Sequence, residues 1–132
     1  MDRNIICWFE IYVNDLERAK KFYSQVLNLN IQNMPTPGEA EGQMKMASFC
    51  SFEEVGNGVS GALIEMAGTK EGDGKMVNTI VYFPCEDCEI EQNRVEAAGG
   101  KIHQPKMSIG EHGFCAICVD SEGNFFGLYS MQ

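Results

Sequence analysis

Two side chains able to do chemistry stand two residues apart near the start of the chain, Trp8 and Glu10, in the stretch IICWFEIYVNDLERAKKFY from Ile5 to Tyr23. The stretch begins apolar, turns at Asn14-Asp15 and ends charged, the pattern of a strand feeding a helix. Residues two apart on a strand share a face, so an indole, a carboxylate and the phenol of Tyr12 point the same way. A carboxylate taken out of water is costly unless something compensates it. Glu10 therefore takes a partner such as a tyrosine hydroxyl, takes a proton, or awaits a cationic or hydroxylated ligand. The alternative is that Glu10 ties its strand to a neighbouring backbone amide or arginine. Trp8, Tyr82 and Tyr129 divide in the same way, between filling a core and facing a ligand.

The other reactive side chains carry less. Six cysteines include two C-x-x-C pairs, Cys85/Cys88 and Cys115/Cys118, a spacing used by zinc and redox sites. Cys115 and Cys118 lie in GFCAICVD, an apolar strand pattern in which residues three apart point to opposite faces and cannot share a metal. Cys85 and Cys88 fall where a strand gives way to a helix, unlike a redox pair opening a longer apolar helix. Small thiols in a reducing cytoplasm are the expected reading. His103 follows a Gly-Gly helix stop, and His112 lies in a loop, Ile109 to Gly113, beside Glu111.

These residues belong to a chain of 132 residues with 10 basic and 19 acidic side chains, a net charge of -9. That length fits one domain with its own core. The charge repels phosphate backbones and anionic lipid headgroups, which argues against nucleic acid and membrane as partners. No stretch of about 18 apolar residues occurs, and the N-terminus lacks a basic start followed by an apolar run. A soluble, cytoplasmic protein is expected.

The elements that must position the side chains repeat. Ile5 to Val13 is a strand, and Leu16, Ala19, Phe22, Tyr23, Val26 and Leu27 follow at helical spacing behind Asn14 or Asp15 as cap. Val77 to Pro84 is again a strand, Asp87 again precedes a helix, and Ile90, Val95 and Ala98 form its stripe until Gly99-Gly100 stops it. Trp8 thus matches Ile80, and Asp15 matches Asp87. Three shorter strands follow each helix, near 31–34, 44–49 and 61–66, then near 102–106, 114–119 and 125–130. The expected class is α+β, two βαβββ modules at about 4–67 and 76–132, joined by a charged glycine-rich hinge at about 68–75 within a single domain.

The residues W-F-E-I-Y-V-N-D-L-E-R-A-K-K-F-Y-S-Q-V-L at 8–27, G-A-L-I at 61–64, R-V-E-A-A-G-G-K-I at 94–102, I-G-E-H-G-F at 109–114 and D-S-E-G-N-F-F-G-L-Y-S at 120–130 resemble the vicinal oxygen chelate superfamily. That group includes glyoxalase I, bleomycin-resistance proteins and extradiol dioxygenases, and the resemblance covers nearly the whole chain. It implies an eight-stranded, cup-like sheet around a cavity, commonly in a homodimer.

The resemblance also implies where a metal would sit. In metal-dependent members four side chains in the cup hold a divalent ion that grips two neighbouring oxygens of the substrate. Here the first ligand position falls on Trp8, the third on Ile80 and the fourth on Gly127, none of which offers a ligating lone pair. The second falls on Glu65, which the repeat pairs with Gly127 when Gly61 is laid over Gly123. No cofactor is therefore expected. By strand alternation the cup is lined by Trp8, Glu10, Tyr12, Ile80, Tyr82, Phe125, Gly127 and Tyr129, with Glu65 as a further ligand-binding candidate. The resemblance then implies a non-metal member binding a small aromatic or amphipathic molecule, as in drug-sequestering relatives, with no catalytic residue assigned. The alternative is a glyoxalase-type lyase or dioxygenase that holds a metal through Glu65 and a divergent ligand set; a third reading is a structural dimer with a filled cup.

Overall fold

A computed structural model describes residues 4–36, 44–66 and 78–132. The expected hinge at 68–75 lies outside the described residues. The chain divides into two compact units, residues 8–79 (the N-unit) and residues 80–132 together with the segment before Trp8 (the C-unit).

In the N-unit, β1 (Trp8–Tyr12) leads into α1 (Leu16–Leu27), followed by β2 (Gln32–Met34), β3 (Met44–Ser48), a short α2 (Phe52–Val55) and β4 (Ser60–Met66). The strands are ordered β2-β3-β4-β1, antiparallel except for the parallel β4/β1 pair. Parallel pairing is the geometric result of sending the chain through a helix and two further strands before it returns to β1. Leu63, Ala47, Phe49, Ile31 and Leu16 make the core between sheet and helix, with Phe9, Ile11 and Tyr23 packed against it. Phe9 lies so close over Gly61 that a Cβ there would be 2.3 Å from the Phe9 carbonyl oxygen.

The C-unit repeats the plan with β5 (Thr79–Pro84), α3 (Cys88–Gln92), β6 (Lys101–Ser108), a 3-10 turn at Gly110–His112, β7 (Phe114–Val119) and β8 (Phe125–Ser130), ordered β5-β8-β7-β6. Its helix-side core is Cys88, Ala116, Cys118 and Leu128 with Phe83, Val95 and Phe126. The segment before Trp8 joins this unit through the Cys7 amide, which donates to the Tyr82 carbonyl at 2.9 Å. Eight strands are thus present among the described residues, four in each βαβββ unit, and the class is α+β.

The caps repeat closely. Asp15 (φ -141, ψ 108) accepts from the Arg18 amide, and Asp87 (φ -142, ψ 107) accepts from the Glu89 amide, each satisfying a free donor of the first turn. The helices themselves depart from the expected stripes. Phe22, Val26 and Leu27 of α1 are exposed, and α3 ends after five residues with Ile90 51% exposed and Cys88 and Gln92 buried instead. Apolar periodicity places residues on one face of a helix but does not say which face meets the sheet. Residues 93–99, expected to continue the second helix, form turns.

Candidate functional site

Glu10 lies in the middle of β1 and is 8% exposed. The indole Nε1–H of Trp8 donates to its Oε2 at 3.2 Å, and the Tyr12 hydroxyl donates to its Oε1 at 2.9 Å. Strand alternation produces this clamp: three consecutive same-face side chains put a donor on either side of one carboxylate. Both carboxylate oxygens therefore face a donor.

Strand register extends this face across the N-unit, since directly paired residues point to the same side. Gln32, Ser48, Ala62 and Glu10 form one row, and Met34, Met46, Ile64 and Tyr12 the next, with Met44 and Met66 paired beyond it. Ala62, Ile64 and Met46 are buried, whereas Trp8, Met34, Met44 and Met66 are half-buried. A cavity of about 410 Å³ bordered by Met34, Met44 and Met46 has Leu16, Glu17, Asn33 and Lys45 in its lining and so opens toward α1, the side of the sheet away from Glu10. The sequence reasoning did not find the methionines. The signal was present in Met44-Lys45-Met46, where the same residue type recurs at the strand period.

Glu65 sits elsewhere. It alternates with Gly61 and Leu63 and so faces α1, where its Oε1 accepts the Leu16 amide at 2.8 Å and its Oε2 lies 3.7 Å from Lys45 Nζ. In the C-unit the equivalent bond runs from the Cys88 amide to Ser130 Oγ at 3.0 Å. The repeat therefore pairs Glu65 with Ser130 and not with Gly127. Both residues hold the first turn of a helix.

The residues at the implied metal positions do not fit a divalent ion. Gly127 pairs directly with Tyr82, and a Cβ built there would stand 2.2 Å from a Tyr82 ring carbon. The ring fills the space through which a longer side chain at 127 would have to pass. With Glu65 turned to the helix side and an indole at position 8, the N-unit places no pair of ligating side chains at the implied positions. Among the described residues, no group of three His, Cys, Asp or Glu is gathered as a metal site.

On the C-unit, Ile80, Tyr82, Phe125 and Tyr129 share one sheet face. Tyr82 pairs with Gly127 and Pro84 with Tyr129, and Phe125 precedes Gly127 by two on the same strand. Ile80 and Tyr82 are buried. The His103 ring meets Phe125 edge-on at 5.1 Å, and the Tyr129 hydroxyl donates to the His112 carbonyl and lies 2.9 Å from Met131 Sδ. Burial, then the nearby Cys7, raises the Tyr129 phenol above its ordinary range.

The cysteines separate as strand parity requires. Cys115 pairs with Tyr129 and Cys118 with Phe126, on opposite faces of β7. None of the six cysteines is in a disulfide. Cys85 is pushed up to about 11 by burial and by the Glu91 carboxylate beside it, which makes it a poor nucleophile at neutral pH.

Paired βαβββ units, each carrying a parallel strand pair and a helix on one sheet face, define an α+β class. The sequence model of the Glyoxalase/Bleomycin resistance protein/Dioxygenase superfamily matches residues 5–128, and the chain belongs to that superfamily. CFP32 of Mycobacterium tuberculosis, provisionally named a glyoxylase, is 27% identical over 122 residues, which cover 92% of this chain and 44% of CFP32. The chain thus spans less than half the length of that curated relative. Among solved structures, methylmalonyl-CoA epimerase from M. tuberculosis superposes with a TM-score of 0.64 at 13% identity, covering 100% of this chain and 93% of the epimerase. A hypothetical protein from Bacillus halodurans C-125 gives 0.67 at 12% identity, covering 96% and 94%. These likenesses carry the fold. No helix among the described residues is long and apolar enough to cross a membrane.

Proposed function

We propose that the protein is a non-metal member of its superfamily that binds a small aromatic or amphipathic molecule, with a cationic or hydroxylated group directed at Glu10. The observation that carries this reading is the clamp: a buried carboxylate whose two oxygens face the Trp8 indole N–H and the Tyr12 hydroxyl. Both donors are neutral, and they orient the carboxylate. An indole is a side chain on which an aromatic ring or a cation can stack. A cation arriving there gains a charge-assisted contact with an anion already oriented for it.

The non-metal part of the reading rests on Trp8, Ile80 and Gly127, which lack ligating atoms, on the Tyr82 ring over Gly127, and on Glu65 serving α1. On the C-unit taken by itself, Ile80, Tyr82, Phe125 and Tyr129 are proposed as ligand-binding residues. The working form is proposed to be a homodimer in a reducing cytoplasm, in keeping with the exposed apolar residues of α1 and six cysteines outside any disulfide.

The test uses the single tryptophan of the chain. An aromatic cation such as N-methylquinolinium should change Trp8 fluorescence, Glu10→Gln should weaken its binding roughly tenfold, and Trp8→Ala should weaken cationic and neutral ligands alike. Purified protein should carry less than about a tenth of an equivalent of zinc, nickel, manganese or iron. Stoichiometric metal, or equal affinities of the parent and Glu10→Gln proteins for the cation, would overturn the reading.

A further inference from the structure

We infer that the C-unit carries a site on the helix side of its sheet, between residues 91–98 and β8, that takes a single aromatic ring bearing a hydrogen-bond donor, a phenol above all. Glu10 belongs to the other unit, and the inference does not depend on the reading proposed for it.

The repeat shows what this space holds in the other unit. With the caps Asp15 and Asp87 matched, Tyr23 matches Val95. Ala47 pairs with Leu63 and Ala116 with Leu128, so Phe49, two residues beyond Ala47, matches Cys118. In the N-unit the Tyr23 and Phe49 rings meet edge-on at 5.6 Å against the sheet core. In the C-unit the smaller Val95 and Cys118 stand against the corresponding core. A cavity of about 330 Å³ opens beside Val95, with Ala98, Phe126 and Leu128 as its apolar wall. Apolar cavities of about 150 Å³ already admit a benzene ring. The donor is required by Glu91, which takes the place of Ala19 and lines the same cavity. Its Oε1 is buried and accepts no hydrogen bond among the described residues. The Cys85 thiol beside it is a weak donor and lies 3.6 Å from the Phe83 carbonyl, to which it donates. A buried acceptor left unmet costs stability until a donor arrives. The last torsion of a glutamate is soft, so the carboxylate can turn that oxygen towards a ligand in the cavity. Glu91 and Asp120 outnumber Arg94 in the lining, which disfavours aromatic carboxylates.

The probes are p-cresol, which is the side chain of tyrosine, and its methyl ether, which keeps the ring and lacks the donor. Binding is read by NMR of 15N-labelled protein. Millimolar p-cresol should shift the amides of Val95, Ala98, Phe126 and Leu128, and it should bind about tenfold more tightly than the ether. Val95→Tyr restores the residue of the N-unit, so it should abolish those shifts and raise the melting temperature by filling the cavity. Ala98→Leu, at an exposed position, narrows the cavity from its outer side and should weaken p-cresol binding even where Val95→Tyr fails to fold. Glu91→Met should bring the two probes to equal affinity. Glu10→Gln should leave p-cresol binding as it was, whatever it does to cationic ligands. The absence of these shifts, or shifts unchanged in Ala98→Leu, would overturn the site. Equal affinities of the parent protein for the two probes would overturn the part assigned to Glu91. Loss of p-cresol binding on Glu10→Gln would put the ring on the N-unit and overturn the inference.

Discussion

Single residues decide what this site can do, and position 127 shows how. A glycine there lets the Tyr82 ring lie flat against the strand, and any Cβ meets three ring carbons at 2.2 to 2.7 Å. Gly127→Ala should therefore cost ~1–3 kcal/mol in denaturant unfolding, the usual range for overpacking a well-filled core. The loss should shrink in a Tyr82→Leu background, because the two changes share one clash; an equal loss in both backgrounds would place the strain elsewhere. Cys85 gives a pH prediction at the same scale. Its folded value of about 11 stands above its ordinary 9.0, so between those values the unfolded chain has already lost a proton that the folded chain keeps. Stability should therefore fall as pH rises from 9 towards 11. Alkylation of folded protein by iodoacetamide at pH 8 should leave Cys85 about a hundredfold slower than a free peptide thiol. Glu91→Gln should speed it, since a neighbouring negative charge is removed.

Elements set the faces on which those residues act, and Glu65 is the case that separates fold from site. Its carboxylate accepts the first amide of α1 and stands on the side of β4 away from Trp8 and Glu10. Glu65→Ala should cost ~1 kcal/mol, the usual value of a lost helix-start acceptor, while aromatic-cation affinity stays within twofold of the parent. A tenfold loss of affinity in a protein with unchanged melting would restore Glu65 to the site. In sequence, β1 was the most legible element, because period-2 alternation fixes Trp8, Glu10 and Tyr12 on one face without knowledge of any neighbour. Asp15 and Asp87 were legible as caps for the same local reason. The place of Glu65 was not. It depends on the register of β4 against β1, and laying Gly61 over Gly123 slid the repeat by an odd number of residues, which exchanges the two faces of a strand. The outward turn of Ile90 was hidden likewise, since α3 stops at Gln92 before a stripe can form. The methionine block is a product of three pairings between strands, and no single segment displays it.

At the scale of the whole molecule, the exposed side chains of α1 and the residues just after it bear on the proposed homodimer. Phe22, Val26, Leu27 and Leu29 are 57%, 62%, 50% and 40% exposed, a clustering uncommon on a surface that meets only water. Sedimentation at micromolar concentration should give about twice the 14.7 kDa chain mass. Added salt should tighten the dimer by screening two protomers of charge -9, and Val26→Glu should loosen it; a 14.7 kDa species at all salt concentrations would refute the assembly. The bond from the Cys7 amide to the Tyr82 carbonyl bears on the order in which the protein is made. Synthesis proceeds from the N-terminus at about 5–20 residues per second, so the partner of Cys7 emerges several seconds after Cys7 itself. Residues 8–79 have by then left the ribosome with the strands of their own unit complete. The segment before Trp8 is consequently made long before the strand on which it settles.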